Sequence, residues 1–265
     1  MPKLPPSLST VFKGTAFENR SCAVLREHFS MSLRRVGGKG DGGIDLQGWW
    51  WLPSRCLRAT TWPQDTLISD GRTEGRVPLR VLAKCKAEEK KIGPRFIREF
   101  EGTILRFRTD DFAEDAAPDI TVRDEGVRRD VVGVFVSTSA FTKASLLRAY
   151  SSPVPLILMH LPAPPSIASA AEHDSDAHAQ DTSPLGAVVF NPALSAVNGL
   201  LRGTVEPRWE WPPVSGDGRP GLWSDGERLE SWTPVDGRDG VEEEDRCVHW
   251  PAGSDRPHDY CISLS

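Results

Sequence analysis

The sequence predicts an α/β sandwich: a central mixed β-sheet flanked by helices, followed by a largely irregular C-terminal extension. Three observations carry that reading. Residues 131–136 are an unbroken apolar run of strand length, the mark of a strand buried on both faces, and residues 154–161, apolar but for His160, read as a further buried strand. Residues 15–29, and the stretch that opens at Gly93-Pro94, repeat apolar side chains at helical intervals. The elements also alternate in the order helix, strand, strand, strand, helix, strand, helix, strand, as a sheet covered on both sides requires.

The first 13 residues hold three prolines and no acid, and read as a tail with only a weak resemblance to a targeting peptide. In residues 15–29, Phe17, Val24, Leu25, His28 and Phe29 form one face of a helix. Glu18 sits beside that face, where a carboxylate either reaches solvent or points into a site. Residues 33–36 form a short strand, and the glycine-rich turn 37–43 follows. Residues 44–52 continue as a strand, with Asp45 between Ile44 and Leu46, and end in Trp49, Trp50 and Trp51. The three indoles are either a packing cluster, which is the reading preferred here, or an exposed stacking platform.

Residues 53–76 have little periodicity and read as an insertion between two strands. Residues 77–85 are a strand ending in lysines at alternate positions, Lys84 and Lys86, which therefore share a face. Pro94 fits the first turn of the next helix, and Phe96, Phe100, Ile104 and Phe107 make its buried stripe. A polar connection spans 109–130. After the strand at 131–136, Thr142 is placed to cap a helix running to Tyr150. Residues 14–161 thus make one domain. Residues 162–184 are a linker of Ala, Ser, Pro, His and Asp, and residues 185–265 an extension that docks in part, as a strand and short helix up to 201, and is mostly disordered beyond 203.

The chain of 265 residues carries a net charge of −5 that hides an asymmetry. Residues 1–162 hold 25 Lys and Arg against 19 Asp and Glu; the remainder holds 7 against 18. The front part is therefore suited to phosphates and the tail is not. Five cysteines without a repeated close spacing argue against a disulfide framework and for a reducing compartment. No apolar run is long enough to span a bilayer, so a soluble protein without a membrane partner is expected. Cys247, His249, His258 and Cys261 are four zinc-type ligands in the tail, but their spacing matches no finger pattern.

One carboxylate and two lysines on neighbouring strands form a toolkit for phosphodiester hydrolysis. An Asp carboxylate binds Mg²⁺, and a lysine stabilises an attacking hydroxide or the charge that develops on phosphorus. Lysines at a strand edge also serve simply to keep the edge from aggregating. The words around these residues narrow the choice: Gly14-Thr15-Ala16-Phe17-Glu18, Gly40-Asp41-Gly42-Gly43-Ile44-Asp45, Lys84-Cys85-Lys86, Gly93-Pro94 with Arg98-Glu99-Phe100-Glu101-Gly102, and Ser137-Thr138-Ser139-Ala140-Phe141-Thr142. In this order they resemble the Mrr-like restriction endonuclease family. More narrowly they resemble the fungal mitochondrial proteins required for respiratory growth, the seventh of that series.

The resemblance implies a restriction-endonuclease-like (PD-(D/E)xK) fold, dependence on Mg²⁺ or Mn²⁺, DNA as substrate and a mitochondrial location. Carried over by motif, Asp45 is the metal-binding carboxylate, Lys86 the catalytic lysine and Glu18 the supporting acid of the first helix. Lys39, Lys90, Lys91, Arg95 and Arg98 then suit DNA phosphates. Lys84 departs from the pattern, which has Gln or Glu there; an ammonium offers a metal no oxygen. Either the metal relies on Asp45, the Cys85 carbonyl and water, helped by Glu18 or Asp41, or the domain binds DNA without cutting it. A role as a mitochondrial assembly factor, and pairing of two copies, are further options the sequence leaves open.

Overall fold

The two apolar runs lie side by side as parallel strands in the middle of the sheet, and everything else is arranged around them. The computed structural model describes residues 10–36, 42–57, 68–69, 75–110, 131–162, 186–210 and 218–234. In chain order the elements are α1 (Thr10–Phe29), β1 (Met31–Arg35), β2 (Leu46–Pro53), a 3-10 turn (Ser54–Cys56), β3 (Ile68–Ser69), β4 (Gly75–Lys86), α2 (Pro94–Asp110), β5 (Val131–Ser137) and α3 (Lys143–Tyr150). Then follow β6 (Leu156–His160), β7 (Ala187–Phe190), α4 (Pro192–Ser195), β8 (Val205–Glu210), β9 (Arg219–Ser224) and β10 (Glu227–Arg228).

The main sheet has the order β1-β2-β4-β5-β6-β7, with β3 paired to β4 off this path. Pairings β1-β2, β2-β4 and β6-β7 are antiparallel, whereas β4-β5 and β5-β6 are parallel. The mixed sheet flanked by helices is the architecture expected. The parallel part requires crossovers, and α2 and α3 supply them.

Each face has its own core. On one side Phe17, Leu25 and Phe29 of α1 pack with Leu46, Trp50, Val81, Val134 and Ile157. On the other, Ile97, Phe100 and Ile104 of α2 pack with Leu82, Phe135, Leu156 and Leu158. Phe100 meets Phe135 edge-on with centroids 5.7 Å apart. Each buried side chain of this size is worth about 1.5–3 kcal/mol, so the stripes fix how the helices sit on the sheet. Gly133 of β5 makes room for this layer: a Cβ there would lie 2.8 Å from Leu156 Cδ2 and 3.0 Å from Phe100 Cε1.

Local signals hold where the sequence placed them. The Thr142 hydroxyl accepts from the Ser145 amide and caps α3. β7 and α4 are the docked strand and short helix expected after the linker. The cap of α4, Asn191, also accepts from the Leu156 amide at 2.8 Å and donates to the Val154 carbonyl at 2.8 Å, which ties α4 to β6. The tryptophan cluster divides. Trp50 faces the α1-side core, whereas Trp49 and Trp51 share the opposite face, where Trp51 is buried against Trp232 and Trp49 stays 37% exposed.

The extension also holds a small sheet within the stretch that the sequence predicts to be mostly disordered. β8, β9 and β10 are antiparallel neighbours, and a tight turn at Asp225-Gly226, both at positive φ, joins the last two. An Asp-Gly pair is a hairpin signal, here hidden because polar Ser224 and Glu227 flank it in a stretch rich in Pro and Trp. Just beyond it the chain returns to its beginning. The Ser231 hydroxyl donates to the Arg26 carbonyl, the Ser30 amide donates to the Ser231 hydroxyl, and the Trp232 amide donates to the Ser30 hydroxyl. Trp232 then packs edge-on against Trp51 at 6.0 Å. Among the described residues no helix is long and apolar enough to cross a membrane.

Most of the insertion at 53–76, the linker, Lys39, Asp41 and the four tail ligands Cys247, His249, His258 and Cys261 lie outside the described residues.

Candidate functional site

β4 leaves the core at Lys84, Cys85 and Lys86, and alternation sends the lysines to one face and the thiol to the other. Lys86 lies over the Phe96 ring of α2, with Nζ 4.4 Å from the centroid, and pairs with Glu88 at 2.8 Å. The thiol points toward α1. Burial pushes the Cys85 thiol far above its ordinary value, a hydrogen bond with Ser21 opposes this, and the charges of Asp45 and Glu18 add to it. Such a thiol is inert as a nucleophile and as a metal ligand.

Asp45 is brought to this edge by the turn before β2. Gly42 and Gly43 have φ of 61° and 85°, the left-handed region that suits glycine. The Asp45 amide donates to the Ala83 carbonyl at 2.9 Å, and its Oδ2 accepts from the Cys85 amide at 2.6 Å. Lys84 Nζ donates to the Gly43 carbonyl at 3.1 Å, and a Cβ at Gly43 would come within 3.2 Å of that nitrogen. The lysine that departs from the nuclease pattern is thus held by the turn that delivers Asp45.

The other expected residues divide. Glu18 is bound to Arg35 of β1 at 2.7 Å, so its carboxylate is spent on an ion pair across α1 and β1. Lys90, Lys91, Arg95 and Arg98 are all exposed, in the loop after β4 and on the first turns of α2. Arg95 pairs with Glu99 at 2.6 Å. That hydrogen bond, with the charges of Lys84 and Lys86, holds the Glu99 carboxyl below its ordinary value. Glu88 and Glu99 are therefore members of the site that sequence reasoning missed; a Glu two residues beyond Lys86 was the available signal for one of them.

The carboxyl-terminal ends of β4, β5 and β6 meet at this edge. Thr138 Oγ1 donates to the Glu88 carbonyl at 3.0 Å, Ser139 Oγ bonds the same carbonyl, and His160 Nε2 lies 3.2 Å from the Thr138 carbonyl. These contacts use the Ser/Thr turn to brace the loop that carries Lys90 and Lys91.

The residues fit a divalent cation poorly. Asp45 offers one carboxylate, Glu18 is engaged by Arg35, and Lys84 brings a positive charge where an oxygen ligand was expected. Among the described residues no three His, Cys, Asp or Glu side chains converge to hold a metal.

Fold and site together define an α/β sandwich protein with a lysine-rich sheet edge beside the Asp45 carboxylate. The chain belongs to the family described as Required for respiratory growth protein 7, whose model matches residues 9–191. It is 30% identical over 157 residues to an uncharacterized mitochondrial protein of Schizosaccharomyces pombe, covering 59% of this chain and 47% of that protein. It is 28% identical over 174 residues to the mitochondrial Required for respiratory growth protein 7 of Zygosaccharomyces rouxii, covering 58% of this chain and 66% of that one. With the Saccharomyces cerevisiae protein of the same name it shares 34% identity over 120 residues, covering 36% and 48%. The chain therefore spans between 47% and 66% of the length of these curated relatives. All three are fungal and named mitochondrial, in agreement with the mitochondrial location expected from the sequence. No solved structure matches the chain.

Proposed function

We propose that this protein binds DNA in the mitochondrion through the carboxyl-terminal edge of β4 and the start of α2, as a nuclease-like fold that grips the phosphodiester backbone without cutting it. The supporting observation is the Lys84 ammonium, held 3.1 Å from the Gly43 carbonyl beside Asp45. A cation there favours a phosphate oxygen and repels a divalent metal. Lys86, Lys90, Lys91, Arg95 and Arg98 extend the same charge along one edge. Respiratory growth, the process for which the family is named, then depends on DNA maintenance rather than on cleavage by this chain.

Metal-dependent cleavage is the second reading, and it has one observation in its favour: Asp45 and Lys86 reach the same sheet edge, as hydrolysis would need. The test is incubation of the purified protein with supercoiled plasmid in Mg²⁺ or Mn²⁺, beside Lys84→Gln and Asp45→Asn, with duplex binding followed by anisotropy. Binding without nicking is the expected result. Nicking by the wild type that Asp45→Asn abolishes would establish the second reading. Absence of any salt-dependent DNA binding would remove both and leave a role in assembly.

A further inference from the structure

The sheet carries a second polar surface beside the edge that holds Lys84. In register, Ser32 of β1 stands opposite Trp49 of β2, which stands opposite Arg80 of β4; one step along, Arg34 stands opposite Gln47. Leu33 packs into the α1-side core and Arg35 bonds Glu18 of α1, so Arg34 between them lies on the other face. Leu82 belongs to the α2-side core, so Arg80 and Lys84, two residues to either side, share that face with Arg34. The α2-side core draws no residue from β1 or β2, so the helix leaves this end of the face uncovered.

What stands there is an ordered aromatic among cations. The Arg80 guanidinium carbon lies 5.3 Å from the Trp49 ring centroid, and the same side chain donates to Gln47 Oε1 at 3.1 Å. Trp49 keeps 37% of its surface exposed while its neighbours Trp50 and Trp51 are buried. β1, β2 and β4 hold no acid, and Asp45 just before β2 is set against Arg34, Arg80 and Lys84. Asp45 immediately precedes β2, four residues before Trp49, a separation of about 13 Å at strand rise. Between this surface and the edge that holds Lys84, the face carries buried Leu82 on β4 and part-buried Gln47 on β2.

We infer that this face is a binding track for single-stranded DNA, with an unpaired base stacked on the Trp49 ring away from Arg80 and the phosphates passing Arg34 and Arg80 toward Lys84. The inference rests on the DNA-binding reading and deepens it by naming the form of the ligand. A tryptophan held by a guanidinium is already ordered before the ligand arrives, and base–aromatic stacking is indifferent to sequence, in keeping with the lack of any base-reading motif.

The test measures anisotropy of a labelled oligothymidylate and of a blunt duplex of equal length with the full chain, comparing wild type, Trp49→Leu, Trp49→Phe and Arg80→Gln. Thermal melts confirm that each variant is folded. Trp49→Leu is expected to weaken oligothymidylate binding about tenfold, in the range of one lost stack, and to leave duplex binding unchanged. Trp49→Phe should recover most of the affinity while removing the quenching of tryptophan emission that accompanies binding. An unchanged single-strand affinity in folded Trp49→Leu, or equal losses for both ligands, would overturn the track and leave DNA binding standing. A wild type that binds neither ligand would overturn the DNA-binding reading and this inference with it.

Discussion

The Asp45 carboxylate accepts the Cys85 amide at 2.6 Å, which makes the acid expected to serve chemistry also the clasp between β4 and the turn before β2. The amide it binds is on a part-buried strand end, where a missing acceptor costs about 1–3 kcal/mol. Asp45→Ala is therefore expected to lower unfolding stability by that amount in urea titrations, whereas Asp45→Asn, which keeps an acceptor oxygen, loses less. Loss of activity in the alanine variant alone would not identify a metal ligand.

Gly133→Ala tests the α2 layer. The added methyl would press on Leu156, Phe100 and Ile104 at 2.8, 3.0 and 3.2 Å, and all three are fully buried. Overpacking of this kind costs about 1–3 kcal/mol. The denaturant midpoint should fall with the m-value unchanged.

Duplex binding should carry a measurable salt dependence. If Lys90 and Lys91 each neutralise a phosphate, replacing both with Ala reduces the slope of log K against log salt by about 2. Replacing Arg95, whose guanidinium is bound to Glu99 at 2.6 Å, should change the slope less. Anisotropy titrations across a salt series give these slopes directly.

His28 makes stability sensitive to pH. Burial lowers its pKa below the ordinary 6.5, and Arg219 and Arg228 add to the effect while Glu27 and Glu210 oppose it. The unfolded chain therefore takes up the proton first. The stabilisation is complete above pH 6.5 and is lost as pH falls through that value toward the depressed folded pKa. Melting temperatures measured downward from pH 7 should fall less steeply in His28→Asn than in the wild type.

Sequence patterns located most of the main sheet because period and burial agree there. The runs in β5 and β6, the stripe of α2 and the Thr142 cap each have one physical solution. The site was legible as a set of residues but not as an arrangement. Asp45, Lys84 and Lys86 could be placed on strands by alternation, yet whether Glu18 faced them depended on Arg35, a residue on β1 whose side chain intercepts the carboxylate. The Trp49–Arg80 pair was out of reach because it needs the cross-strand register, which no local pattern specifies. The β8-β9-β10 sheet was masked by prolines and tryptophans that dilute alternation.

The stitches from Ser231 and Trp232 to Arg26 and Ser30 set the order in which this fold can close. They join positions about two hundred residues apart in sequence, and the end of the first helix is complete only when they form. A chain delivered amino terminus first holds α1 and the start of β1 early, without their last partners. Until Trp232 arrives, Trp51 lacks the indole that packs edge-on against it and the Ser30 hydroxyl lacks the Trp232 amide. Contacts of such long range are slow to form. The Arg26 carbonyl and Ser30 hydroxyl at the end of α1 are therefore among the last groups in the fold to find these partners.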